Sequence, residues 1–304
     1  MKDYLGAHMS IAGGIHLAID RGVETGCGVI QVFTQVSNQW KGKMPSEADA
    51  ALFREKWRQS GLHEVVSHDI YLVNLAAAPE SEVRAKSLAS FGDEMERCAL
   101  LGISKIVMHP GSHLGEGEET GIRRICEAFD QLIADHAAFT GRILLETTAG
   151  QGTNIGWRFE HLADIIAGSQ YPDRFAICFD TCHTFAAGYD LTTQESYEKV
   201  WAEFDRVIGL DRLACFHIND SKKGLSCRVD RHDHIGQGSM GLAPFRFIMN
   251  DPRFVEIPKI LETPKGDNEE MDEVNLKLLR GLVNTRGGRH EREDRDHPDR
   301  HHKT

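Results

Sequence analysis

No stretch of this sequence is apolar for anything near the ~20 residues that a membrane-crossing helix needs. The opening MKDYLGAHMS has no apolar signal core either. The expectation is a soluble, cytoplasmic chain without membrane attachment. The seven cysteines (27, 98, 126, 178, 182, 215 and 227) form no Cys-x-x-Cys pair and no small-domain disulfide pattern. An odd, scattered set reads as reduced thiols. Positive charge is short as well: 35 basic against 46 acidic residues leave a formal charge of −11. That argues against a general polyanion binder, although carboxylates that hold cations would invert the local field. The first apolar run lacks the Gly-rich fingerprint of a dinucleotide-binding turn.

What is present alternates. Short runs rich in Val, Ile, Leu and Phe recur eight times: YLGAHM, VIQVFT, EVVSHDIYL, KIVMHPG, RILLETT, FAICFDTCH, LACFHIND and PKILETP. Helix-length amphipathic stretches separate them. Leu88, Phe91, Met95 and Cys98 recur at helical steps before Gly102, which fits a C-cap, and residues 119–138 and 192–208 read the same way. Eight strands alternating with helices predict a single-domain α/β fold, the (β/α)8 TIM barrel, over residues 1–284. A doubly wound open sheet is the alternative. Residues 285–304, TRGGRHEREDRDHPDRHHKT from Thr285, are charged, His-containing and almost without apolar content, which predicts a disordered tail.

The stretch HINDSKKGLSCRVDRHDHIGQG (217–238) crowds imidazoles and carboxylates into a segment too broken for a helix. The strands explain it. His68 closes the third run, His109 the fourth, Glu146 the fifth, Asp180 the sixth, His217 the seventh and Glu262 the eighth. The carboxyl ends of barrel strands converge on one face, where active sites sit. His183 follows Asp180 by three residues, and Asp230 and His232 are spaced to point the same way from an extended segment. One buried histidine is more often a hydrogen-bonded core residue than a ligand. A convergent set of nine is another matter, because unpaired buried carboxylates cost several kcal/mol each and push one another's pKa values apart. A metal cluster resolves that conflict. Five histidines and four carboxylates exceed the roughly four ligands of one zinc and suit two or three ions. The donor types fit zinc or manganese better than magnesium. His8, His113 and His234 are left as structural positions around the cluster.

HDIYLVNLA (68–76), AICFDTCH (176–183) and the 217–238 stretch, with HPGSHLG (109–115), ETTAGQGTNIG (146–156), FAAGYDL (185–191) and ILET (260–263), resemble the signatures of the endonuclease IV family of apurinic/apyrimidinic endonucleases. The likeness spans residues 3–283. It implies three Zn2+ ions, with Mn2+ able to replace one. His68 and His109 would hold the first and share Glu146 with the second, which Asp180, His217 and Glu262 complete. His183, Asp230 and His232 would hold the third. The resemblance also implies cleavage of double-stranded DNA 5′ to an abasic site, leaving a 3′-hydroxyl and a 5′-deoxyribose phosphate. Glu146 is then the catalytic residue, orienting the attacking water, and the chain is expected to act as a monomer.

Three zinc ions would offset six of the eleven excess negative charges. Arg231, between two ligands, together with Lys222 and Lys223, is the expected phosphate contact. Tyr71 and Leu72 follow His68 by three and four residues and are expected to wedge into the duplex at the barrel mouth. Flipping a nucleotide that has no base to unstack costs least, which selects the lesion. The chain departs from the family at Ile70, where a small residue is usual, and at Ser226-Cys227, where Gly-Ser is usual. Asn38 stands at the arginine position of the loop TQVSNQW (34–40). None of these is a ligand, and Asn38 predicts a weaker second wedge. Two rivals use the same residues: a metal-dependent sugar isomerase or epimerase on a related barrel, and a lesion-binding protein that does not cut.

Overall fold

The computed structural model describes residues 3–266 and 270–284; the tail expected over 285–304 lies outside them. Eight strands are all parallel and close on themselves: β1 (Leu5–His8), β2 (Val29–Val32), β3 (Glu64–His68), β4 (Lys105–Met108), β5 (Arg142–Glu146), β6 (Phe175–Asp180), β7 (Leu213–His217) and β10 (Lys259–Leu261). β1 pairs with both β2 and β10, which closes the ring and excludes the open doubly wound sheet. Between β7 and β10 the two-residue strands β8 (Asp220–Ser221) and β9 (His232–Asp233) pair antiparallel as a clasp above the barrel.

The outer layer is built from α1 (Leu17–Glu24), α2 (Glu47–Ser60), α3 (Glu82–Leu101), α4 (Glu118–Asp135), α5 (Phe159–Gly168), α6 (Thr181–Ala187), α7 (Gln194–Val207), α8 (Ala243–Asn250) and α9 (Met271–Gly281). Their ends carry the expected chemistry. Ser46 and Ser81 cap α2 and α3 through side chains that accept backbone N–H groups, and Gly102 closes α3 at φ 76°. Among the described residues no helix is long and apolar enough to cross a membrane.

The strand period of two divides each strand between two cores. Residues facing outward meet the helices, as where the Phe179 ring lies 4.6 Å from Trp201 and Trp201 lies 4.5 Å from Phe254. Residues facing inward form a separate plug: Val29, Val66, Val107, Leu144, Ala176, Cys178, Cys215 and Ile260, all fully buried. Two residues further along the same strands, and so in the next layer toward the carboxyl ends, come Gln31, His68, His109, Glu146, Asp180, His217 and Glu262. β1 runs in step, with Gly6 below His8. Gly6 is required there, since a Cβ would stand 1.7 Å from the Val29 carbonyl oxygen. An aliphatic floor thus carries a polar layer directly above it.

Candidate metal centre

Glu146 sits at the middle of the polar layer, fully buried. Its Oε2 is 3.1 Å from His68 Nε2 and 3.1 Å from His109 Nε2. Its Oε1 is 3.0 Å from His217 Nδ1 and 3.1 Å from His183 Nδ1. One carboxylate therefore faces two separate pairs of imidazoles. Glu262 Oε2 is 3.1 Å from His217 Nδ1, and Asp180 Oδ2 lies 3.5 Å from His232 Nε2. Asp230 Oδ1, at the rim, is 3.1 Å from His183 Nε2 and 3.5 Å from His232 Nε2. All nine expected residues converge.

Local structure explains the placement. Asp180 ends β6 and caps α6, its Oδ1 accepting the His183 N–H at 2.7 Å, so one turn delivers two of the residues. Asp220 organises the segment that carries Asp230 and His232: its carboxylate accepts N–H groups from Gly236, Gly238 and Met240 at 3.0–3.1 Å. The loop between β8 and β9 holds Ser226 at φ 62° and Arg228 at φ 52°, and Arg228 lies 3.9 Å over the Trp157 ring. Ser226 thus holds a backbone conformation that glycine adopts without strain.

The electrostatics are dominated by these contacts. Burial alone would raise the Glu146 carboxyl, but the imidazoles of His217 and His109 hold it well below the usual carboxylate range. Glu262 is likewise opposed by burial and held down to about 2, chiefly by His217. Burial would lower His217, yet Glu262 and Glu146 push it up to about 10. His183 is raised well above its ordinary value against burial, by Asp180 and Asp230. His8 goes the other way, desolvated down to about 3, and stays a neutral partner of Gln31.

Two observations test the fit to metal ions. Among the described residues no lysine or arginine pairs with Glu146, Asp180, Asp230 or Glu262; their ion-pair partners are imidazoles. The N···O separations of 3.0–3.5 Å match the edges, about 3.3–3.4 Å, of a tetrahedron with zinc-length bonds of ~2.0–2.1 Å. Moreover, three imidazoles turn the nitrogen that does not face the carboxylates to a carbonyl-type oxygen: His68 to Asp69 O (2.6 Å), His232 to Glu262 O (3.2 Å) and His217 to Gln31 Oε1 (2.7 Å), while His183 Nδ1 lies between Thr147 O (3.0 Å) and Glu146 Oε1 (3.1 Å). That is how ligating histidines are oriented. His68 with Glu146 and His217, His109 with Glu146 and His183, and His183 with Asp230 and His232 make three compact donor groups. The residues fit divalent cations.

Some participants escaped the sequence. Gln31 is fully buried and donates to Glu262 Oε1 at 2.7 Å while accepting from His217. Asn219 donates to Asp180 Oδ2 at 2.9 Å and accepts the Glu262 N–H at 2.8 Å. The signal for Gln31 was present, a lone amide in the strand VIQV at the inward phase of Val29. His113 and His234 are structural: His113 Nδ1 accepts two N–H groups of its own loop, and His234 Nδ1 is 3.2 Å from Asn275. Tyr71 is 60% exposed, whereas Leu72 is half-buried against the core. Arg231 and Lys222 are exposed, joined by the Lys222 N–H to Arg231 O bond of 2.9 Å, and Arg231 lines a mouth cavity of about 170 Å3 with His109, His183 and Asp230. A larger cleft of about 470 Å3, between α7 and α8, carries no such cluster.

A closed parallel barrel with histidines and carboxylates at its carboxyl ends defines a broad class, and residues 19–282 match the family described as the xylose isomerase-like TIM barrel. Within that class the likeness narrows. A probable endonuclease 4 from Geobacter sulfurreducens is 71% identical over 94% of this chain and 96% of its own length. The counterpart from Chloroflexus aurantiacus is 51% identical over 91% and 97%. The crystal structure of endonuclease IV from Thermus thermophilus aligns with a TM-score of 0.81 at 37% identity, covering 91% of this chain and 98% of that one. A D-psicose 3-epimerase from Clostridium cellulolyticum reaches a TM-score of 0.65 at 13% identity over 93% and 99%, a likeness of fold alone. The chain belongs to the endonuclease IV family. It is a hydrolase of the nuclease type.

Proposed function

We propose that the chain hydrolyses the phosphodiester bond 5′ to an abasic nucleotide in double-stranded DNA, as a monomer holding three zinc ions, leaving a 3′-hydroxyl and a 5′-deoxyribose phosphate. The observation that carries this reading is the double engagement of Glu146, one oxygen toward His68 and His109, the other toward His217 and His183. A carboxylate so placed can bridge two ions. His68 and His109 would hold one ion with Glu146, Asp180, His217 and Glu262 the second with Glu146, and His183, Asp230 and His232 the third. When bound, the cations supply activation of water at neutral pH and neutralisation of phosphoryl charge.

The chain's own residues do the rest. Gln31 and Asn219 hold His217, Glu262 and Asp180 in register through the amide contacts above. The exposed guanidinium of Arg231, beside Asp230 at the mouth, meets the incoming phosphate. Tyr71 stands exposed above His68 and His109, 5.4 and 5.7 Å from their rings, where it can fill the space of a missing base. The test is a duplex with one synthetic abasic nucleotide and labelled ends. A single cut 5′ to the lesion with a polymerase-extendable 3′ end is expected, from protein that contains about three zinc ions per chain. Cleavage 3′ to the lesion, equal cutting of undamaged duplex, or binding without cutting would remove the reading.

A further inference from the structure

We propose that Arg228, seated on Trp157, is a positioning residue: it fixes the loop that presents Asp230 and so sets how tightly the third ion of the proposed cluster is held. The loop 222–231, between β8 and β9, is polar and has no buried side chain. Asp230 itself is 43% exposed, more than any other of the nine residues. Burial therefore does not hold it in place. Beyond the Lys222–Arg231 bond at the base of the loop, three main-chain N–H groups moor it: Ser226 donates to Phe185 O at 3.3 Å, Arg228 to Ala186 O at 3.0 Å and Asp230 to Gln151 Oε1 at 3.1 Å. The chain turns at Arg228, where φ is 52°, a conformation that few residues other than glycine adopt. Such a turn persists where surrounding contacts hold it. The guanidinium supplies one, lying 3.9 Å from the centre of the Trp157 ring.

An arginine laid on a surface indole is by itself ordinary packing. Here the indole is fixed in turn. Trp157 Nε1 donates to Glu118 Oε1 at 3.2 Å, in the first turn of α4. A Cβ on Gly150 would stand 2.9 Å from Trp157 Cγ, so the loop after β5 folds tightly against the ring. That loop starts at Glu146 and also carries Gln151, which takes the Asp230 N–H. Trp157 thus belongs to the segment that ends β5 in the central carboxylate, and Arg228 ties the Asp230 loop to it. Asp230 Oδ1 then stands 3.1 Å from His183 Nε2. Without the stack the loop keeps only its main-chain anchors, and Asp230 loses its fixed place beside His183 and His232. This role rests on the proposed sharing of an ion by His183, Asp230 and His232; the other two ions do not depend on the loop.

The experiment loads the full-length chain with zinc, strips it with increasing chelator and counts the zinc released per chain. In Trp157→Ala and in Arg228→Asn, whose new side chain tolerates the positive φ, one ion is expected to leave at about 10-fold less chelator. That is the lower end of the ~10–100-fold in metal affinity lost with residues that orient a ligand. The other two ions leave as from the unaltered chain. Trp157→Phe and Arg228→Lys keep a ring and a cation and restore most of the retention. In Asp230→Ala, which lacks the third ion, adding Arg228→Asn changes nothing further, because the guanidinium acts through Asp230. Unchanged retention in both single variants, release of all ions in step, or an added loss in the Asp230→Ala background overturns the role and leaves the three-ion reading standing. So does Trp157→Phe as weak as Trp157→Ala. An unaltered chain that holds fewer than three zinc ions removes that reading and this role together.

Discussion

Glu146 has no counter-charge except imidazole and, in the proposed loaded enzyme, metal, so its negative charge is what holds the two halves of the cluster together. Glu146→Gln keeps the volume and removes the charge. Cleavage of abasic duplex is expected to fall at least ~100-fold, the scale of losing one electrostatic contact to the transition state, while the metal-stripped protein still folds, with a melting temperature lowered by the lost pairing of Glu146 with His217 and His109. Near-normal turnover would mean that the nucleophile is organised elsewhere. Tyr71 and Leu72 divide differently from a matched pair. Tyr71 is exposed, and Leu72 is partly packed on the core. Tyr71→Ala is therefore expected to weaken binding of abasic duplex about 10-fold, within the ~1–3 kcal/mol of stacking per base, at unchanged stability. Leu72→Ala should lower stability as well as binding. Equal binding by the double variant in a direct titration would remove the wedge.

Along α3 the argument moves from contacts at the mouth to what fixes the loops. Glu94 and Arg97 are both buried and pair at 2.8 Å; Glu94 also accepts from Thr34, at the start of the loop after β2, and from Ser67, beside His68. Arg97 Nε donates to Thr34 Oγ1 at 2.7 Å. Removing one partner strands the other's charge. Glu94→Ala is expected to cost ~3–5 kcal/mol in chemical denaturation, and Glu94→Ala/Arg97→Ala less than the sum of the single changes; additive losses would contradict the pairing. The sequence marks Phe91, Met95 and Cys98 as the buried phase of this helix and does not mark Glu94 and Arg97 as buried, because an i,i+3 pair is equally at home on a helix surface and the hydroxyls that hold this one inside, Thr34 and Ser67, lie 60, 27 and 63 positions away. The same divide runs through the site. Strand-end histidines and carboxylates are legible since few other reasons put such groups inside a barrel. Asn219 is not, because an amide after a strand end is equally at home on a surface, and Gln31 is marked only by its inward phase in VIQV. The eight strands were legible because strands buried on both faces read as short, near-continuous apolar runs set between amphipathic stretches.

At the scale of the whole molecule, protons and metal ions compete for one layer. In the metal-stripped chain, His217, raised to about 10, contributes stability that is complete below its ordinary 6.5 and is lost as pH rises through 10. His183 acts in the same direction. Glu262, lowered to about 2, contributes above its ordinary 4.5 and loses that contribution as pH falls through 2. Both contributions are therefore complete only between pH 4.5 and 6.5. Metal binding reverses the upper limb. Ligating imidazoles must give up their protons, so ion uptake releases protons and tightens as pH rises. Melting temperatures measured with and without chelator across this range are expected to diverge: the stripped chain loses its site contribution above pH 6.5 while the margin conferred by metal widens. A margin that narrows from pH 6 toward 8 would show that these imidazoles do not hold the ions, and the assignment of His217 and His183 would fall with it.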